Sequence, residues 1–231
     1  MFAYTRNHTL SGTLRVLAAL LGYPDRQMRG YLAQMPAVLQ RERALSAARV
    51  AELERLLHQL ATRDLLEAEA DYVALFDRGR ATSLHLFEHV HGDSRDRGPA
   101  MIDLAQTYEK AGLYLAQGEL PDYLPAVLEF VSTQPPREAR AFLAEMAHIF
   151  TAIFSALQQR DSAYASVLGA LLELAGETAR AVQPAADEAL DESWAEPVVF
   201  DGCSTKGQAA PGQPQPIHFV RTTQPHQGAS S

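Results

Sequence analysis

The sequence predicts an all-α protein, on three observations. Apolar residues recur at helical spacing almost everywhere up to about Ala181, runs of alternating polar and apolar residues are hard to find, and Gly22, Pro24, Pro36 and Gly79 fall between the periodic segments. The elements are taken in chain order. Leu10, Leu14, Leu17 and Leu21 form one stripe, closed by Gly22 and Pro24. Asp25 is placed to cap a short helix through Met28, Tyr31, Leu32 and Met35, and Pro36 separates that helix from the next. Val50, Leu53, Leu57 and Leu60 share the next face, and Leu65, Tyr72, Leu75 and Phe76 suggest a long helix that stops at Gly79. Pro99 suits a first helical turn, where its missing N–H costs nothing. Met101, Leu104, Ala105, Tyr108 and Leu115 then line one side, with Asp103, Gln106, Thr107 and Lys110 opposite, so this helix is expected to pack by one face and to end at Gly118 and Pro121. Leu124, Val127, Leu128 and Val131 mark another helix. The breaker "TQPPRE" divides it from one through Phe142, Met146, Ile149, Ile153 and Leu157, and a last helix carries Leu168, Leu171, Leu172 and Ala175.

The 231 residues, 47% of them hydrophobic, suit one sizeable core: a helical domain over residues 1–196 with a tail over residues 197–231. The tail is rich in proline, glycine and glutamine, and its only charged side chains are Asp201, Lys206 and Arg221. It is expected to be flexible, because it has too little apolar surface to offset its ordering entropy. The single cysteine, Cys203, excludes an internal disulfide framework, and the apolar run near the N-terminus is too short and interrupted for export or membrane spanning, so a cytoplasmic protein is expected. A net charge of −8 repels phosphate backbones and argues against nucleic acid as a ligand, while welcoming a basic partner. No glycine-rich phosphate cradle is present.

The stretch "FDRGRATSLHLFEHVHGDSRDRG", residues 76–98, carries the chemistry to be explained. His85, Glu88 and His89 have the H-x-x-E-H spacing of inverzincin peptidases, in which two imidazoles hold zinc and the glutamate assists a bound water. A zinc-dependent peptidase is therefore the enzymatic alternative. A third ligand would be needed, and Glu145 or Glu173 are candidates that nothing in their surroundings separates. Against it, so short a pattern recurs by chance in a histidine-rich stretch, and His91 followed by Gly92 reads as a helix terminus.

Taken whole, the run from Tyr72 through "VALFDRGRATSLHLFEHVHGDSRDRGPAMIDL", together with "LPDYLPAVLEF", resembles the NarJ family, the assembly chaperones of respiratory molybdenum nitrate reductases, within the TorD-like group. The resemblance is densest from Tyr72 to Phe130 and extends to "ESWAEPVVF", where such chains commonly end their ordered part. It implies a single TorD-like helical bundle that is not an enzyme and binds no cofactor stably. Such a protein holds the apo catalytic (alpha) subunit of nitrate reductase, mainly by its N-terminal segment. It assists molybdenum cofactor insertion before membrane attachment, with cofactor-delivery proteins as further possible partners.

An amphipathic client helix needs an apolar groove with charged walls. Leu75, Phe76, Leu84, Leu86 and Phe87 supply the first, and Asp77, Glu88, Asp93 and Asp96 the second. Tyr72, Arg80, His85, His89, Arg95, Tyr108, Asp122 and Tyr123 complete the expected client-binding set. Each has a structural reading beside it. Phe76, Phe87 and Tyr108 suit a core, and Gly79, Gly92 and Gly98 suit turns wanting positive φ or a tight cap. Arg78, Arg80, Arg95 and Arg97 can pair with Asp77, Asp93 and Asp96, and Asp122 in "LPDYLP" can cap the adjoining helix.

Overall fold

The computed structural model describes residues 10–92, 94–116 and 118–182, which fall within one unit, Met1–Ala185. The expected end of the domain at residue 196, the tail and Asp93 lie outside the described residues.

The first stripe becomes α1, Ser11–Leu21, whose Leu14, Leu17, Leu20 and Leu21 are fully buried. The N–H groups of its first turn, which have no partner within the helix, are satisfied from elsewhere in the chain. Glu42, at the end of α3 (Met35–Glu42), accepts from Gly12 N–H at 2.9 Å, Thr13 N–H at 2.7 Å and the Thr13 hydroxyl at 2.8 Å. This carboxylate is itself buried, a favourable arrangement only because these donors surround it at the positive end of a helix. Asp25 caps α2 (Arg26–Arg29) as expected, accepting from Met28 N–H at 2.7 Å. Pro36 does not separate helices. It lies in the first turn of α3, where the absent N–H leaves no bond unmade.

Ser46 caps α4, Ala47–Thr62, and Asp64 caps α5, Leu65–Tyr72, through the N–H groups of Leu66 and Glu67. The expected helix toward Gly79 does run to Asp77, but its winding is regular only as far as Tyr72. Beyond Tyr72 the backbone widens into a π turn, Val73–Asp77. A brief α6, Leu86–Val90, leads to α7, Arg97–Lys110, with Pro99 in its first turn. This helix stops well before Gly118. Gly112, at φ +79°, takes the left-handed conformation; its N–H donates to Glu109 and that of Leu113 to Tyr108, a Schellman closure. Only Tyr108 of α7 is fully buried, while Leu104 packs half-buried against the core.

Next come α8, Leu124–Ser132; α9, Pro136–Glu145; α10, Ala147–Gln159; and α11, Ala165–Ala175. The helix expected through Phe142 to Leu157 is two, bent by 63° at Met146. No glycine or proline marks that break, so the apolar periodicity runs through it. α11 is buried from Ala165 to Leu172 and forms the centre, with α10 along it and α1 joining it to α8. Among the described residues no single helix is long and apolar enough to cross a membrane, and no strand forms beyond one isolated bridge.

Candidate functional site

Tyr72 and Phe76, one helical turn apart, are buried side by side with ring centroids 4.8 Å apart. The Tyr72 hydroxyl donates to the Leu21 carbonyl at 2.6 Å, so it accepts from the Tyr123 hydroxyl at 3.1 Å. Burial, with Tyr123 adding to it, pushes the Tyr72 phenol far above the ordinary tyrosine range and keeps it neutral. The π turn is held from behind. The Leu75 carbonyl accepts from the hydroxyl of fully buried Thr82 and from Arg160 at 3.4 Å, while Arg160 Nη1 donates to Thr82 Oγ1 at 2.7 Å. Gly79 sits within this latch at an ordinary φ of −120°. Its value is close approach, since a Cβ there would lie 2.7 Å from Thr82 Oγ1 and 2.8 Å from Arg160 Nη1. Gly92 does need positive φ, at +51°, whereas Gly98 lies inside α7.

A second wall comes from an antiparallel bridge between His85 and Tyr123, made by Leu86 N–H to the Asp122 carbonyl at 3.0 Å and Leu124 N–H to the Leu84 carbonyl at 2.8 Å. Asp122 does not cap its own helix, α8. Its side chain, 0% exposed, reaches across the bridge to α6 instead, where Oδ2 accepts from Phe87 N–H at 3.1 Å and Oδ1 lies 3.3 Å from His85 Nδ1. Arg97 Nη2 stands 3.5 Å from Glu88 Oε1 and 3.9 Å from Asp122 Oδ2. Arg97 is therefore the one arginine of the expected network that pairs among the described residues. Its partners are Glu88 and Asp122, not Asp77 or Asp96.

The hydrogen bond to Asp122 raises the His85 pKa above 6.5, with burial opposing it, the charges of Asp122 and Glu88 adding to it and Arg97 opposing. A raised imidazole pKa means that the contribution of the His85 to Asp122 pair is complete below the unfolded value of about 6.5 and is lost as pH rises through the folded value. The stability difference between the wild type and His85→Gln is therefore expected to shrink as pH rises from about 6 to about 9, read by urea unfolding. Equal differences across that range would contradict the pairing.

These walls enclose a cleft of about 430 Å³ lined by Tyr23, Tyr72, Phe76, Asp77, Leu84, His85, Gly118, Glu119, Leu120 and Tyr123. A recess of about 370 Å³ adjoins it, sharing Phe76, Asp77 and His85 and adding Arg78, Gly79, Arg80, Ser83 and Glu88. Eight expected residues thus line this double cleft: Tyr72, Phe76, Asp77, Arg80, Leu84, His85, Glu88 and Tyr123. Others stand behind or beside it. Leu75 lines a different cleft with Arg63, Arg160 and Tyr164. Phe87 packs against the core, and buried Tyr108 donates to the Pro121 carbonyl at 2.8 Å, which fixes the segment leading into Asp122. Arg95 and Asp96 are exposed at the start of α7 and line neither cavity. The residues missed from sequence are Tyr23, Glu119 and Leu120. Tyr23 precedes Pro24 in a turn and keeps 45% of its surface, and Leu120 precedes Pro121; an exposed aromatic or aliphatic residue beside a proline is the available signal.

The zinc reading fails on geometry. His85 turns to Asp122, Glu88 to Arg97, and His89 Nε2 to the Ser83 carbonyl at 2.8 Å, because His85 lies at the N-cap of α6 and not on its regular face. Of the two candidate third ligands, Glu173 engages Ser46 and Arg49 on α4. No group of three metal-ligating side chains exists among the described residues. The cleft presents ring surface, neutral phenols and rim carboxylates.

The all-helical fold recurs in a solved structure. A redox enzyme maturation protein assigned in Archaeoglobus fulgidus superposes with a TM-score of 0.55 at 20% identity, covering 76% of this chain and 99% of that one. Sequence comparison narrows it further. The nitrate reductase delta subunit family matches residues 41–170. The nitrate reductase molybdenum cofactor assembly chaperone NarJ of Escherichia coli K12 is 43% identical over 183 residues, 78% of each chain. The protein assigned as NarW, a chaperone of the same description in that strain, is 41% identical over 163 residues, 71% of this chain and 68% of that one. The chain belongs to the nitrate reductase delta subunit family, as a NarJ-type assembly chaperone and not a catalyst.

Proposed function

We propose that the chain binds the apo catalytic (alpha) subunit of a respiratory nitrate reductase, gripping its N-terminal segment in the cleft between Tyr72 and Tyr123, and assists molybdenum cofactor insertion in the cytoplasm before membrane attachment. The observation that carries the reading is the cleft itself: an apolar floor of Phe76, Leu84 and Leu120 with carboxylates at Asp77, Glu88 and Glu119. It suits one ridge of an amphipathic helix, whose full diameter of about 10–12 Å would lie across the opening. Burying three or four client side chains at about 2 kcal/mol each, against roughly 2–5 kcal/mol to order the segment, leaves a modest surplus. Such a client is held and then released. Arg95 and Asp96, exposed at the start of α7, are offered to the remainder of the subunit.

The test is calorimetric titration with a peptide copying the N-terminus of the cognate catalytic subunit, alongside capture of that subunit from nitrate-respiring cells lacking the cofactor. Leu120→Asp, which sets a carboxylate on the exposed apolar wall of the cleft, is expected to weaken the peptide at least about tenfold, by roughly 1.4 kcal/mol or more. Absence of peptide binding to the wild type, or undiminished binding to Leu120→Asp, would remove the proposal.

A further inference from the structure

We infer that the cleft takes in one basic side chain of the client segment, an arginine by preference, as an enclosed cation instead of leaving it at the rim. The inference rests on the client reading above and names the chemistry the pocket selects. Five rings line the cavity: Tyr23, Tyr72, Phe76, His85 and Tyr123. They are set at angles to one another, with Tyr23 edge-on to Tyr72 at 5.6 Å and 85°, Tyr72 tilted 52° to Phe76, and His85 at 5.4 Å from Tyr123. Cations are drawn to aromatic faces, and a guanidinium can stack on one ring while its N–H groups reach hydroxyls and carboxylates in its plane.

Charge points the same way. Asp77 and Glu119 line this cavity and, among the described residues, no lysine or arginine does; Arg78 and Arg80 open only onto the neighbouring recess. Asp77 has no hydrogen-bond or ion-pair partner among the described residues, and Glu119 accepts one backbone bond, from Ala116 N–H at 3.1 Å. Two carboxylates with spare acceptor capacity at the mouth of an aromatic pocket describe a host for a cation on an apolar stem. A purely aliphatic client side chain would meet the rings and leave both acids idle.

The experiment uses the full chain and the N-terminal client peptide, with each arginine in turn replaced by citrulline and each lysine by norleucine. One position is expected to lose about tenfold in affinity, the scale of a partly desolvated cation–π and carboxylate contact. Rim positions should lose less than about threefold. At the sensitive position the loss should fall below about threefold in the double variant Asp77→Asn, Glu119→Gln, whose exposed side chains can be exchanged without disturbing the core. Uniform small losses at every position, or an undiminished loss in the double variant, would overturn the inference while leaving the client reading intact. Failure of the unmodified peptide to bind would remove both.

Discussion

Asp122→Ala is expected to lower the unfolding free energy by about 3 kcal/mol and to abolish peptide binding, because one buried carboxylate serves two segments at once. Its loss leaves Phe87 N–H without its acceptor at the start of α6 and removes the partner that orients His85 on the cleft wall. Asp122→Asn retains an acceptor for Phe87 but not the charge, and should cost about 1 kcal/mol. It should also return the His85 titration toward the ordinary imidazole value, since the Asp122 hydrogen bond is the largest cause of its upward displacement. Urea unfolding reads the first effect and proton NMR of the His85 ring the second. An alanine variant as stable as the wild type would show that α6 needs no cap from across the bridge.

Glu42→Ala is the second large effect, expected at about 2–4 kcal/mol. Two backbone N–H groups and a hydroxyl at the start of α1 lose their acceptor together, and Thr13, only 1% exposed, gives water little opportunity to replace it. The loss is global because α1 joins α8 to α11. Glu42→Gln should fall between the two, with one oxygen able to accept and an amide facing the remaining donors. Client affinity measured well below the unfolding transition should be unchanged in both variants, since Glu42 lines neither cavity of the double cleft. Reduced affinity with unchanged stability would reverse the assignment.

The two variants mark where sequence reasoning reaches and where it stops. The stripe from Leu10 to Leu21 and the Asp25 cap are local facts, so spacing reveals them. Asp122 is equally visible as a capping residue, but the helix it serves lies 35 positions earlier, and no local pattern reports a contact at that separation. The same reason hides Tyr23 from any reading of residues 72–123 as a continuous groove, whereas Glu119 lies inside that range and carries no local signal of its own. The bend at Met146 is unmarked because neither glycine nor proline causes it, and α7 shows that periodicity says which side of a helix turns inward without saying how close its neighbour comes. Tyr72, Phe76, Leu84, His85 and Tyr123 are legible through family resemblance, supported by aromatic residues at helical spacing.

The widened turn at Val73–Asp77 has a consequence for inheritance. A π turn is equivalent to one extra residue accommodated within a helix, here clamped by Arg160 and Thr82. Losing a single codon in this stretch would return it to regular winding and remove the widened turn at which the Leu75 carbonyl meets Thr82 and Arg160. Descendants of this chain are therefore held to the number of residues between 73 and 77 as well as to Phe76 and Asp77, which line the cavity.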